Sequence, residues 1–295
     1  MSAATGLRPW VLAARPATLW AGIAPVIVAG GLARGNGFRW DALAASAVVA
    51  VALQIGVNFA NDVADAARGA DTADRVGPAR AVASGLISPE RMRLGIAVMF
   101  GTAAAAGLYI YTLRGWPVIV IGAASMVAAL GYTGGPVPYG YRALGELFVL
   151  VFFGFVATVG TYYAHTGAAS SGSWFAGAAM GFLAAAILVA NNVRDMATDA
   201  AAGKRTLAVV LGRSRNEQLF AASLAAAFAS VTAAVLLGDA PAGTLLALLA
   251  IPLTVPLAAT LRARQGRALI PVLEGTARLQ LFVAVLYATG AIVFG

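Results

Sequence analysis

The polar residues best suited to hold a metal fall into two short groups: Asn58, Asn61, Asp62, Asp65, Asp71 and Asp74, then Asn191, Asn192, Asp195 and Asp199. Each group sits where an apolar run ends. Carboxylates at a membrane boundary, without enough neighbouring cations to cancel them, are usually there to hold a divalent ion. On a helix, Asn58, Asp62 and Asp65 share one face at spacings i, i+4 and i+7, with Asn61 beside them. Asn192, Asp195 and Asp199 do the same at i, i+3 and i+7, with Asn191 adjacent. Two such faces can oppose each other across a cavity. Oxygen ligands without histidine or cysteine favour Mg2+, which completes its shell with waters and substrate phosphate oxygens, so the implied substrate is a diphosphate. A metal bridge would neutralise that diphosphate as it leaves. The alternative for Asp71 and Asp74, which share their segment with Arg68 and Arg75, is an ordinary solvated loop.

Cations that can grip diphosphate oxygens follow each group. Arg75 and Arg80 come after the first; Lys204, the one lysine in the chain, and Arg205 come after the second. The competing reading for each is a charge that merely sets topology. Between the groups, residues 131–142 are rich in glycine and proline and carry Tyr132, Tyr139, Tyr141 and Arg142, with Glu146 just beyond. Such a segment cannot be a regular helix and is tolerated at membrane depth only where it lines a cavity. Its tyrosines can stack on an aromatic acceptor or shield a carbocation with their π faces; the alternative is an aromatic belt at the bilayer interface.

The elements that must position these residues are membrane helices. Of the 295 residues 60% are hydrophobic and 11% charged, far below the quarter typical of soluble domains. Runs long enough to cross about 30 Å of hydrocarbon are expected at 17–33, 42–61, 93–112, 116–133, 146–165, 174–193, 217–237, 243–261 and 276–294. With nine spans, seventeen of the 20 basic residues fall on the amino-terminal side of the bilayer; only Arg34, Arg39 and Arg114 do not. The positive-inside rule then places the amino terminus and both acidic groups in the cytoplasm, and the carboxy terminus outside. The first span contains Pro16 and Pro25 at or near its start and opens a polytopic series, so it reads as a retained helix and not a cleaved signal peptide.

The net charge of +8 reads as topology together with attraction to anionic lipid or substrate, with no nucleic-acid motif. Zero cysteines exclude disulfides and thiolate catalysis, and the single histidine, His165, argues against a His-ligated metal or a Ser-His-Asp triad. Shifting the chain by 134 positions lays Asn58 on Asn192, Asn61 on Asp195, Asp65 on Asp199, Gly69 on Gly203 and Thr72 on Thr206. The whole chain therefore reads as one transmembrane domain of two related halves, roughly 10–140 and 141–295; the alternative is chance similarity in a biased composition.

Taken together, these segments resemble the UbiA superfamily of intramembrane aromatic prenyltransferases. The residues from Asn58 to Asp71 are similar to its first aspartate-rich motif and Asp195 to Asp199 to its second. The runs 54–71, 132–146 and 191–207, with Arg15-Pro16 and Pro25, resemble the branch that prenylates 1,4-dihydroxy-2-naphthoate. The resemblance implies nine helices around a central cavity, capped by the loops after helices two and six. It implies Mg2+ and a polyprenyl diphosphate bound there, ionisation at the allylic carbon, and attack by the dihydroxynaphthoate ring with loss of CO2 to give demethylmenaquinol. By the same resemblance Asn58, Asp62, Asp65, Asp195 and Asp199 are metal or diphosphate ligands, Arg15 is a substrate contact, and Glu146 orients or deprotonates the acceptor. One departure stands out: many members carry a lysine in the Tyr132 loop, where this chain has only tyrosines, glycine and Arg142. Other aromatic acceptors are alternatives within the superfamily. An ion-coupled transporter is the alternative outside it, although its carboxylates belong near the midplane on interrupted helices.

Overall fold

A computed structural model describes residues 6–69, 76–77 and 80–295, and the described residues contain helices and turns with no strand. A short helix α1 (Arg8–Ala14) lies before the first span, α2 (Pro16–Leu32). The break between them falls at Arg15, whose φ of 51° is left-handed, and Pro16 starts α2 where its missing N–H costs nothing. The chain continues through α3 (Trp40–Ala67), α4 (Pro89–Arg114) and α5 (Pro117–Gly131). The fifth span joins α6 (Gly145–Val149), a π-helical stretch (Leu150–Val156) and α7 (Ala157–Thr166). Then come α8 (Ser171–Ala201), short α9 (Leu207–Leu211) and α10 (Arg213–Leu236); a 3-10 segment (Ala242–Leu253) runs on into α11 (Thr254–Ala263), and α12 (Ile270–Val293) closes the chain.

Among the described residues eight helical segments are long and apolar enough to cross a bilayer, and α5 is a ninth, shorter one. They coincide with the nine expected spans. The last span begins early, at Gly266 and not 276, and α3 and α8 run past the expected ends at 61 and 193 to Ala67 and Ala201. The apolar runs end early because the last turns of both helices face protein and a cavity, where polar side chains have partners.

Helices α8, α10, α2 and α12 supply the main core, in which Val28, Met180, Leu183, Val189, Phe220 and Tyr287 are fully enclosed. Small residues permit the closest approach: a Cβ at Gly154 of the π stretch would lie 2.6 Å from Gly177 O and 2.7 Å from Gly181 Cα on α8. With little hydrophobic drive between helices in lipid, such contacts hold the bundle by van der Waals packing.

The helices that carry the two polar groups end alike. On α3 the Arg68 and Gly69 N–H groups bond to the carbonyls of Ala64 and Ala66; on α8 the Ala202 and Gly203 N–H groups bond to those of Thr198 and Ala200. Gly69 and Gly203 are both left-handed, at φ 65° and 72°. These are equivalent positions under the shift of 134 seen in the sequence.

Candidate active site

A cavity of about 600 Å³ opens within the bundle, and its walls differ in character along its length. One end is polar and is built from the last turns of α3 and α8 and the loops beyond them. The rest is apolar, with Val49, Leu53 and Val57 of α3, Ile119 and Met126 of α5, and Phe152 and Val156 of the π stretch on its wall.

At the polar end α3 presents Asn58, Asn61 and Asp65 to the cavity. Asn58 Nδ2 donates to Ala14 O (2.9 Å) and Thr18 Oγ1 (3.2 Å), tying α3 to the break at Arg15, itself on the wall. Asn61 Oδ1 accepts from Thr133 Oγ1 at 2.7 Å, which binds α3 to the turn after α5. Asp65, 1% exposed, is the meeting point of three loops. Arg80 Nη2 donates to its Oδ2 at 2.7 Å, the Tyr141 hydroxyl to its Oδ1 at 2.8 Å, and Lys204 Nζ lies 3.3 Å from Oδ1. The Lys204 ammonium also sits 4.8 Å from the centre of the Tyr141 ring.

The facing wall is α8, with Asn191, Asn192, Asp195 and Asp199 on the cavity. The Arg194 guanidinium grips Asp195 through Nε (2.8 Å) and Nη2 (2.5 Å), and Nη2 also reaches Asn191 Oδ1 at 2.9 Å. Lys204 is brought back to this helix by its own N–H, which donates to Asp199 O at 2.8 Å. The two acidic walls are therefore close: Lys204 touches the carboxylate of one and caps the helix of the other.

Tyr132, Tyr139 and Tyr141 all line the cavity. Burial, followed by the nearby carboxylates of Glu146, Asp65 and Asp199, pushes the Tyr132 phenol far above its ordinary range, so it stays protonated. Burial does the same for Tyr139, whose hydroxyl donates to Ala128 O and whose ring stacks on Phe148 at 3.9 Å. Phe148 stacks in turn near Phe152. An aromatic wall thus leads from the polar end into the apolar part. The turn that carries it is clamped by Arg68, whose guanidinium donates to the carbonyls of Thr133 and Gly135.

Three residues expected at the site lie off the cavity wall. Asp62 is buried at 1% exposure, but its oxygens accept the N–H groups of Ala81 and Val82, both at 3.0 Å. The reason is rotation around α3. At about 100° per residue Asn58 and Asn61 stand within about 40° of Asp65, whereas Asp62 stands about 60° away on the far edge of the arc. Glu146 is also buried behind the wall, where its Oε1 accepts from Asn192 Nδ2 at 2.8 Å. Arg142 instead pairs with Arg205 in an isolated backbone bridge that joins the Tyr141 and Lys204 loops. Arg75, Asp71 and Asp74 lie outside the described residues.

Arg194, Thr133, Thr18 and Arg68 were not expected at the site. Arg194 read as a topology-setting charge; its adjacency to Asp195 was the one available signal.

The donors on the wall are amide and carboxylate oxygens, a hard set that suits Mg2+. Among the described residues no three carboxylates or histidines form a closed cage. Any ion here must share its shell with water or substrate oxygens, as Mg2+ does.

Alternating carboxylates and cations at the mouth of an apolar, aromatic-lined cavity inside a helical bundle define a membrane-embedded enzyme for an amphiphile with an anionic head. The chain belongs to the UbiA prenyltransferase family, whose model matches residues 22–273. The 1,4-dihydroxy-2-naphthoate octaprenyltransferase of Mycobacterium tuberculosis is 44% identical over 289 residues, 97% of each chain. The protein of the same name from Mycobacterium leprae is 39% identical over 270 residues, 90% of each chain. A UbiA homolog from Archaeoglobus fulgidus, solved with DMAPP and Mg2+ bound, shares the fold at a TM-score of 0.68 and 18% identity, covering 96% of this chain and 99% of its own.

Proposed function

We propose that this chain transfers a polyprenyl group from polyprenyl diphosphate to 1,4-dihydroxy-2-naphthoate, with loss of CO2, to give demethylmenaquinol. The observation that carries the reading is the convergence of Arg80, Tyr141 and Lys204 on Asp65 at the mouth of an apolar cavity. The 44% identity to an enzyme of that name over 97% of both chains supports the acceptor.

In this reading the prenyl tail lies in the apolar part of the cavity and the diphosphate at its polar end. Asn61, Asp65, Asp195 and Asp199 would hold Mg2+ once Arg80 and Lys204 turn from Asp65 to the diphosphate and Arg194 yields an oxygen of Asp195, with Asn58 steadying α3 beside them. When bound, Mg2+ would supply positive charge that neutralises the diphosphate as the allylic C–O bond breaks. Arg80, Lys204 and Arg15 supply donors to the leaving diphosphate, which takes the bonding electron pair. Tyr132 and Tyr139 present neutral π faces to the allylic cation, and the apolar wall keeps water from quenching it. The electron-rich naphthoate ring attacks that carbon and sheds its carboxylate as CO2. Glu146 orients Asn192 on the acceptor side.

We further infer that the site faces the cytoplasm of the cell membrane, a reading supported by the bias of basic residues, and that the matching ends of α3 and α8 descend from a duplicated half-domain. The test of function supplies purified protein with polyprenyl diphosphate, Mg2+ and a panel of aromatic acid acceptors, and identifies products by mass. A decarboxylated prenyl naphthoquinol is the expected product; transfer to hydroxybenzoate or homogentisate in its place would overturn the assignment.

A further inference from the structure

Asp62 is an acid of the first motif that does not look into the cavity, and what it does hold is the turn that delivers Arg80. Residues 80–87 fold tightly: Ser84 N–H bonds to Arg80 O, and the N–H groups of Leu86 and Ile87 both bond to Ala81 O. Ala81 and Ile87 are buried against Phe59 and Met92. The Ala81 and Val82 N–H groups point back to α3 and meet the two oxygens of Asp62, in the way a capping carboxylate meets the open end of a helix.

Asp62 and Asp65 lie one helical turn apart. One takes the backbone of the turn, the other its guanidinium, 2.7 Å away. We propose that Asp62 is a positioning residue that sets where Arg80 meets Asp65, and through it how tightly the cavity binds a diphosphate. It is not a metal ligand. Turning its carboxylate to an ion would strand two amides, one of them on fully buried Ala81.

This inference rests on the reading that the polar end binds a diphosphate. It is tested on the detergent-solubilised full chain with farnesyl thiolodiphosphate, which binds without reacting readily, by calorimetry at fixed Mg2+, alongside turnover kinetics. Asp62→Asn keeps a carbonyl acceptor for one amide and loses the other. It is expected to weaken analogue binding and raise the substrate KM by about tenfold, with the Mg2+ concentration for half-maximal activation unchanged. Combined with Arg80→Gln it adds nothing to the loss from Arg80→Gln alone, because both act through one guanidinium. A matching shift in Mg2+ half-activation would make Asp62 a ligand and overturn the proposal, and so would losses that simply add. Should Asp62→Asn fail to fold, Val82→Pro deletes one of the two donors and leaves every carboxylate in place. It must weaken analogue binding in the same direction; unchanged binding in that variant overturns the anchor. If the unaltered chain binds no analogue, the diphosphate reading falls and the anchor with it. If it binds but Asp62→Asn binds equally well, only the anchor falls.

Discussion

Lys204 Nζ lies 3.3 Å from Asp65 Oδ1, so a lysine that follows α8 closes on a carboxylate of α3. This contact ties the two polar groups of the sequence into one site. Arg80 completes it from the other side of the same carboxylate, and Tyr141 stands between them. Lys204 thus places a cation beside Tyr141, a tyrosine of the loop that itself carries no lysine.

Lys204→Gln is expected to lower kcat/KM for polyprenyl diphosphate by about 10- to 100-fold, the range for removing one charge-assisted hydrogen bond to an anionic group. The acceptor KM should hardly move. Steady-state kinetics with each substrate varied in turn provides the check, and an equal rise in both KM values would place Lys204 outside the diphosphate subsite.

Asp199→Asn and Asp65→Asn should each abolish turnover, by roughly 1,000-fold or more, on the scale of losing a principal electrostatic stabiliser. Their stabilities should differ. Asp65 is enclosed with Arg80 and Lys204, at 2%, 7% and 12% side-chain exposure, so its replacement strands buried cations at a cost of about 3 kcal/mol. Thermal unfolding in detergent should show a lower midpoint for Asp65→Asn than for Asp199→Asn.

Chelation with EDTA should stop turnover, and Mg2+ should restore it. The described carboxylates form no closed cage, so Mg2+ should bind weakly alone and tightly with diphosphate. Calorimetry of Mg2+ with and without inorganic pyrophosphate measures the difference.

Glu146→Gln should keep turnover within about threefold of the parent, since a glutamine oxygen can still accept from Asn192, whereas Glu146→Ala should lose about tenfold as Asn192 is released. If the glutamine variant is as inactive as the alanine one, Glu146 acts as a base.

Gly181→Val should weaken the bundle without touching the site. A Cβ there already lies 2.6 Å from Leu150 O and 3.0 Å from Gly154 Cα, so the helices must separate, at about 1–3 kcal/mol. A lowered unfolding midpoint with near-normal turnover at low temperature is the expected result.

The nine spans were readable because a bilayer demands long apolar runs and a basic bias, and both survive in composition. So was the placing of both polar groups at one end of the bundle. Which acids reach the cavity was not. Asp62 and Asp65 have the same residue type and neighbouring positions, and a few tens of degrees of helix rotation send one to a backbone turn and the other to the cavity. Arg194 and Arg68 were equally opaque, because a basic residue near a helix end looks the same whether it sets topology, neutralises Asp195 or clamps a turn.

Sequence alone therefore determined the helical membrane architecture, the oxygen-rich chemistry of the two polar groups and the family, because these depend on residue type and on local periodicity. Tertiary structure decided the pairing: Asp65 with Arg80, Tyr141 and Lys204, Asp195 with Arg194, Glu146 with Asn192, and Asp62 with the amides of Ala81 and Val82. Those choices depend on how α3 and α8 rotate and how the intervening loops fold back. The packing of distant segments sets both, and no local pattern encodes it.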